Sequence, residues 1–265
     1  MKIQLLKLSL LFAVICCLFA CRKDETIPLP DPAQAKMVRQ IIASPNDFVT
    51  YEYDAMGNVI KYTSQWENGT GGISRLNNAF DYSDNKLMKF TNEAGHAIFT
   101  YNGSVVAKSD NFAANGKKLS TILYQYDESG RLASLIEQIS NPEPDAASET
   151  KVSYQYYSNG NVSRIDFAYR KQTSEPFVVS FSKVFVEYDN KKNPEPDGVL
   201  GFFLPKVILQ KNNPIKINNV LPNGTIEGYS RYEYNYNSEG YPVKRKHFMA
   251  VGSNEQTPVS FDYIY

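Results

Sequence analysis

From Val38 onward the chain repeats one pattern: aromatic and polar residues alternate, then the run breaks at a glycine. It reads YEYDAMGNV over 51–59, YQYDESGRL over 124–132, YQYYSNGNV over 154–162 and YNYNSEGYP over 234–242. A weaker copy, FTNEAGHA, carries Gly95, and a degenerate one, VEYDNKKNP, has Lys192 where the glycine would stand. Alternation at period two sends Tyr51 and Tyr53 to one face of a strand and Glu52 to the other. An Asp or Asn opening the turn accepts a backbone hydrogen bond two residues on, and the glycine three places later supplies positive φ. Beyond the turn the chain re-enters extended structure, with Ile165, Phe167 and Tyr169 on one side. Marker positions 30 to 48 residues apart fit two strands of about ten residues and a looser return loop.

The pattern predicts an all-β fold: an antiparallel hairpin meander forming a curved, barrel-like sheet, since a flat open sheet would leave aggregation-prone edges. No helical period competes strongly. Asp31–Val38 can form a short helix from its cap and proline, and 194–203 (PEPDGVLGFF) is a short helix or a loop. The pentapeptide NPEPD occurs at 141–145 and 193–197 and reads as a proline-stiffened turn. No interior stretch is rich enough in Pro, Gly or Ser to force a cut, so residues 36–265 are one domain.

The N-terminus follows a different grammar. Lys2 and Lys7 precede an uncharged apolar run, Leu8–Phe19, too short for a membrane-spanning helix of about 20 residues, and the run ends in Leu18-Phe19-Ala20-Cys21. This resembles a bacterial lipobox, with Phe19 bulkier than usual at its position. The resemblance implies a signal peptide over 1–20, lipidation at Cys21, and a lipidated N-terminus and spacer over 21–35. The competing reading is an uncleaved signal anchor. All three cysteines, Cys16, Cys17 and Cys21, belong to this segment, so a processed chain would hold no disulfide or free thiol. Arg22-Lys23-Asp24-Glu25 resembles the surface-export signal of lipoproteins from some gut-type Gram-negative bacteria; a solvated charged linker is the alternative. TIPLPDP over 26–32 reads as a stiff extended spacer.

Composition narrows function more than it names it. The 28 basic and 28 acidic residues balance, and without Lys2 and Lys7 the net charge is −2, which gives no basis for nucleic-acid binding. Nineteen Tyr and fifteen Phe stand against a single Trp, a bias toward strands. The two histidines, His96 and His247, lie in different repeats with no metal-ligand spacing. No metal, cofactor or catalytic motif is recognisable, and Asp189–Asp197 makes a poor calcium loop, with lysine where a ligand oxygen belongs. A hydrolase needs only two carboxylates, but Glu52, Asp54, Asp127, Glu187 and Asp189 are explained by the hairpins. A lipid-spanning barrel conflicts with charge runs such as Lys244–Lys246. Trp66, beside the Gly-rich 67–72, is the candidate ligand contact, since sugars stack on exposed aromatic faces.

YDESGRL and YDAMGNV resemble the tyrosine–aspartate repeat of large bacterial surface and toxin proteins. With the lipobox and the late Tyr-x-Tyr turn, the chain resembles an uncharacterised lipoprotein family whose domain of unknown function has a porin-like β fold. The resemblance implies a curved, barrel-like sheet and no known activity. The expectation is a non-catalytic outer-membrane lipoprotein, at the cell surface or the periplasmic face, held to the membrane through Cys21. Its β domain binds a ligand, with glycan the leading choice. The alternatives are a structural or envelope-assembly protein without a small ligand and a carboxylate-pair hydrolase.

Overall fold

A computed structural model describes residues 37–143, 145–195, 204–252 and 254–265. The leader, Cys21, the spacer, the possible helix at Asp31 and most of the 194–203 segment lie outside the described residues. Lys36–Tyr265 makes one compact unit.

The period-two segments become strands. They are β1 (Gln40–Ile42), β2 (Phe48–Tyr53), β3 (Val59–Glu67), β4 (Ile73–Ser83), β5 (Lys86–Asn92) and β6 (Gly95–Asn102). Then come β7 (Val105–Ala113), β8 (Lys118–Tyr126), β9 (Leu132–Ile139), β10 (Glu149–Tyr156), β11 (Val162–Arg170) and β12 (Val178–Lys192). The chain finishes with β13 (Asn212–Val220), β14 (Ile226–Tyr236), β15 (Pro242–Val251), β16 (Asn254–Glu255) and β17 (Val259–Ile264). Every pairing is antiparallel, and β1 bonds both β2 and β17, with Ile41 opposite Val49 on one side and Tyr263 on the other. Because β17 also pairs with β15, sixteen strands close into a barrel. The two-residue β16 adds to the free end of β15. Closure removes the open edges that a meander of this length would expose.

The turns follow the expected chemistry at one end of the barrel. Asp54 Oδ1 accepts the N–H groups of Met56 and Asn58 at 2.8 Å, and Asp54 O accepts that of Gly57. Asp127 and Asn237 repeat this with Gly130 and Gly240, whose φ values are 74° and 83°. Two repeat assignments need correction. Gly95 does not close a loop of this kind: β5 continues to Asn92 and β6 starts at Gly95, so Glu93-Ala94 turns the chain at the opposite end. Lys192 ends β12, and a long connection rather than a hairpin turn follows. The same five-residue turn also closes the far end at Gly71, Gly116 and Gly224, where no Tyr-x-Tyr precedes it and the repeat was not visible.

The second tyrosine of each Tyr-x-Tyr has a defined task, as do Tyr82, Tyr101 and Tyr188 at the same place in strands where Phe or Val replaces the first. Tyr53 Oη donates to Val38 O (2.7 Å), Tyr82 to Val59 O (3.1 Å), Tyr101 to Leu87 O (3.0 Å) and Tyr156 to Leu132 O (2.8 Å). Tyr126 reaches the Val106 backbone, Tyr188 the Val162 carbonyl, Tyr265 the Pro242 carbonyl and Tyr236 the Asp189 carboxylate. These inward phenols staple strand ends together around the ring, Tyr236 reaching past β13 to β12 and the others bonding an adjacent strand. Among the first tyrosines, Tyr51, Tyr124 and Tyr154 lie one layer further in and join the core, and Tyr234 Oη donates to Pro214 O at 3.2 Å.

The two faces of the wall differ in kind. Inward positions carry the aromatic and aliphatic core, with polar side chains such as Asn111 and Ser120 among them, whereas the outer face carries ion pairs: Lys61–Glu52 at 2.9 Å, Lys108 and Lys118 on Asp110, Arg231 on Glu233 and Glu255, and Lys244–Asp262 at 3.3 Å. On a lipid-facing wall a basic side chain near the midplane costs about 2–4 kcal/mol. The outer surface is therefore built for water.

Candidate ligand chamber

Sixteen-stranded barrels are wide enough to leave an open lumen. Here one end is filled. Past β12, Leu204 and Leu209 are buried, Leu209 O accepts the Val162 N–H at 2.7 Å, and the Lys206 ammonium reaches the carbonyl of Asn85 in the β4–β5 turn. The segment thus bridges from β11 to the opposite wall, beneath the tyrosine ring. Inward residues at this end, Val59, Leu87, Val106, Leu132 and Val162, are at most 6 % exposed. On the same inward parity toward the other end, Trp66, Tyr169 and Met249 are 40–42 % exposed. The interior is closed at the tyrosine end and opens at the other.

Between cap and mouth lies a cavity of about 520 Å³. Its walls include Leu135, Val152, Ile165, Phe167, Phe185 and Ile217, together with Tyr154, Tyr232 and Tyr234. Among the described residues, three charged side chains line it: Lys183, Arg245 and Glu195. A smaller cavity of about 230 Å³ lies against β1–β3, lined by Ile41, Val49, Tyr51, Ser64 and Phe261 among others. Glu195 and Arg245 border both and separate them.

That partition is an ion pair taken out of water. Arg245 Nη1 lies 2.5 Å from Glu195 Oε1, the side chains are 17 % and 12 % exposed, and Tyr263 Oη donates to the same oxygen at 2.7 Å. The guanidinium also sits over the Phe261 ring at 4.7 Å and the Tyr263 ring at 5.7 Å. Burial alone would lower the Arg245 pKa; the Glu195 carboxylate and the surrounding phenols reverse the sign, so the group stays charged. Burial, then Glu195, push Tyr263 far above the ordinary phenol range. Lys183, opposite Ile165 and Asn219 in the strand register, has no carboxylate at ion-pair distance among the described residues.

The residues singled out from sequence fall into separate places. Trp66 stands 42 % exposed opposite Ser74, near the mouth, and lines neither cavity. His96 stacks on Phe112 at 5.0 Å, and His247 stacks on Tyr232 at 4.6 Å while its Nε2 meets Ser230 Oγ at 3.0 Å. Glu52 pairs with Lys61 outside, and Asp54 and Asp127 hold turns. Asp189 accepts from Asn213 and Tyr236. Sequence reasoning missed Glu195, Arg245 and Lys183. Arg245 sits inside the Lys244–Lys246 charge run, and Glu195 inside a pentapeptide that reads as a proline-stiffened turn.

Among solved structures, the chain is similar to a porin-like protein from Bacteroides uniformis, with a TM-score of 0.55, 15% identity, and coverage of 86% of this chain and 96% of that one. A porin-like protein from Bacteroides vulgatus matches at a TM-score of 0.42 and 13% identity, covering 86% and 98%. The TcdB2-TccC3 toxin structure matches at 0.24 and 15%, covering 80% of this chain and 12% of that one. No family model matches, and no curated protein does. At this identity the first likeness establishes the fold: the chain is an all-β, porin-like barrel.

Proposed function

We propose that the chain is a non-catalytic envelope lipoprotein, anchored through Cys21, whose barrel is a one-ended binding cup. The observation that carries this reading is the cavity of about 520 Å³ between cap and mouth, within the range of small-molecule sites. The cap argues against a through-channel, and the charged outer wall against a lipid-spanning one. The described chain enters the barrel at the capped end, where Tyr53 holds Val38.

The apolar lining also bears on the occupant. A sugar placed among Leu135, Ile165 and Ile217 would strand hydroxyls at about 1–3 kcal/mol each, so an apolar body suits the chamber better than a glycan. The glycan reading belongs instead to the exposed Trp66 ring at the rim, where a glycan-array signal lost in Trp66→Ala would support it. The main test uses N-phenyl-1-naphthylamine, a neutral dye that brightens in apolar surroundings. The full chain carrying Cys21→Ala, which removes the competing lipid, is expected to bind it at one saturable site. Ile217→Trp and Val152→Phe, two independent ways of filling the chamber, are expected to lower uptake while the β circular dichroism persists. Uptake unchanged in both folded variants would refute the cup. For the anchor, labelled palmitate should enter the wild-type chain and not Cys21→Ala; no label in the wild type refutes it.

A further inference from the structure

We propose that the chamber selects an apolar anion: an aliphatic or aromatic body carrying one acidic group that is met by Lys183. This rests on the cup reading above and names its ligand class. Of the three charged side chains lining the cavity, Arg245 and Glu195 neutralise each other at 2.5 Å. Lys183 remains, so the described lining carries one net positive charge. The strand partners of Lys183 are Ile165 and Asn219, neither of which can be anionic. A long ammonium side chain on an outer strand face is commonplace. On an inward position, two residues from the buried Phe185 and beside Ile165, it faces a space whose other walls offer mainly carbon.

The geometry separates the two ends of such a ligand. Phe167, Phe185 and Ile217 cover the body, while Lys183 on the same inward face is exposed to solvent. Arg245 is the poorer anion site, since its guanidinium is already engaged by Glu195, whose other partner is Tyr263. An incoming acid would have to displace Glu195 there, whereas at Lys183 it displaces only solvent. Charge-assisted bonds of this kind are about twice as strong as neutral ones.

The test compares two dyes that share a ring system, 1-anilinonaphthalene-8-sulfonate and the neutral N-phenyl-1-naphthylamine, each titrated into the full chain carrying Cys21→Ala. The anionic dye is expected to bind about tenfold more tightly. Lys183→Gln should weaken it by about five- to tenfold and leave the neutral dye within about twofold, and Lys61→Gln, on the outer wall, should change neither. Equal affinity for both dyes, or an anionic dye indifferent to Lys183→Gln, overturns the anion preference and leaves the cup intact. A loss in Lys61→Gln matching that in Lys183→Gln also overturns it, because surface charge would then account for the effect. If neither dye binds the wild-type barrel, the cup itself falls.

Discussion

Raising the pH to about 11 should unfold this barrel, because its interior is built from phenols that cannot ionise in place. Burial pushes Tyr82, Tyr101 and Tyr156 up to about 12, and burial holds Tyr51, Tyr124, Tyr154, Tyr234 and Tyr263 well above the ordinary value. In the unfolded chain each ionises near 10. A group whose pKa is raised by folding contributes stability that is complete below the unfolded value and is lost as pH rises above it. At pH 11 each of the five deeply buried phenols forfeits about 1.4 kcal/mol, and each of the three less buried ones about half that after allowance for solvent. The total is about 9 kcal/mol, comparable with the whole stability of a typical domain. Tyrosinate absorbance at 295 nm and β circular dichroism, followed together, should show a cooperative absorbance rise coincident with loss of the strand signal. Tyr154→Phe should make that transition less steep by one proton. Complete ionisation centred near pH 10 with intact circular dichroism would show that the phenols are not inside, and would refute the reasoning.

Glu195→Gln should destabilise the barrel by about 3 kcal/mol in urea, because Arg245 is left charged and unpaired; Glu195→Leu with Arg245→Met should regain most of that, and equal loss in both would contradict the account. Gly95→Ala should cost about 3 kcal/mol or more, since its Cβ would lie 1.9 Å from the Phe112 carbonyl oxygen. Gly130→Ala, with open space around it and φ of 74°, should cost only about 1–2 kcal/mol; thermal melts of the pair check the contrast. Burial and then Arg245 lower the pKa of His247. Its folded state resists protonation, so its contribution is present above the unfolded value near 6.5 and is lost as pH falls. His247→Gln should therefore flatten the stability profile between about pH 6.5 and 5, and an unchanged acid limb would argue against it.

Much of the architecture was local and therefore readable. Period two fixes which side of a strand Tyr51 and Glu52 take, and Asp54 with Gly57 bends the chain whatever lies beyond, because both effects act within a few residues. Gly95 misled because its environment is not local: φ of 157° and a β7 carbonyl where a Cβ would stand reflect pairing with a strand that a five-residue window does not contain. The Tyr-x-Tyr repeat announced strands, but the reason for its second tyrosine, a bond to the neighbouring strand end, required the ring to be closed.

The interior shows the division most clearly. The pentapeptide NPEPD occurs twice; in the first copy Glu143 is exposed, and in the second Glu195 lies inside the barrel against Arg245. Likewise Lys244, Arg245 and Lys246 are three consecutive cations, of which only the middle one points inward to line the cavities. By itself the sequence determined strands, turns and the meander, since these follow from dihedral preference and alternation. Which charges face one another across the hollow, and that the hollow is capped at one end, were decided only when sixteen strands closed. Distance through space between residues 50 apart is set by the ring, not by the chain between them.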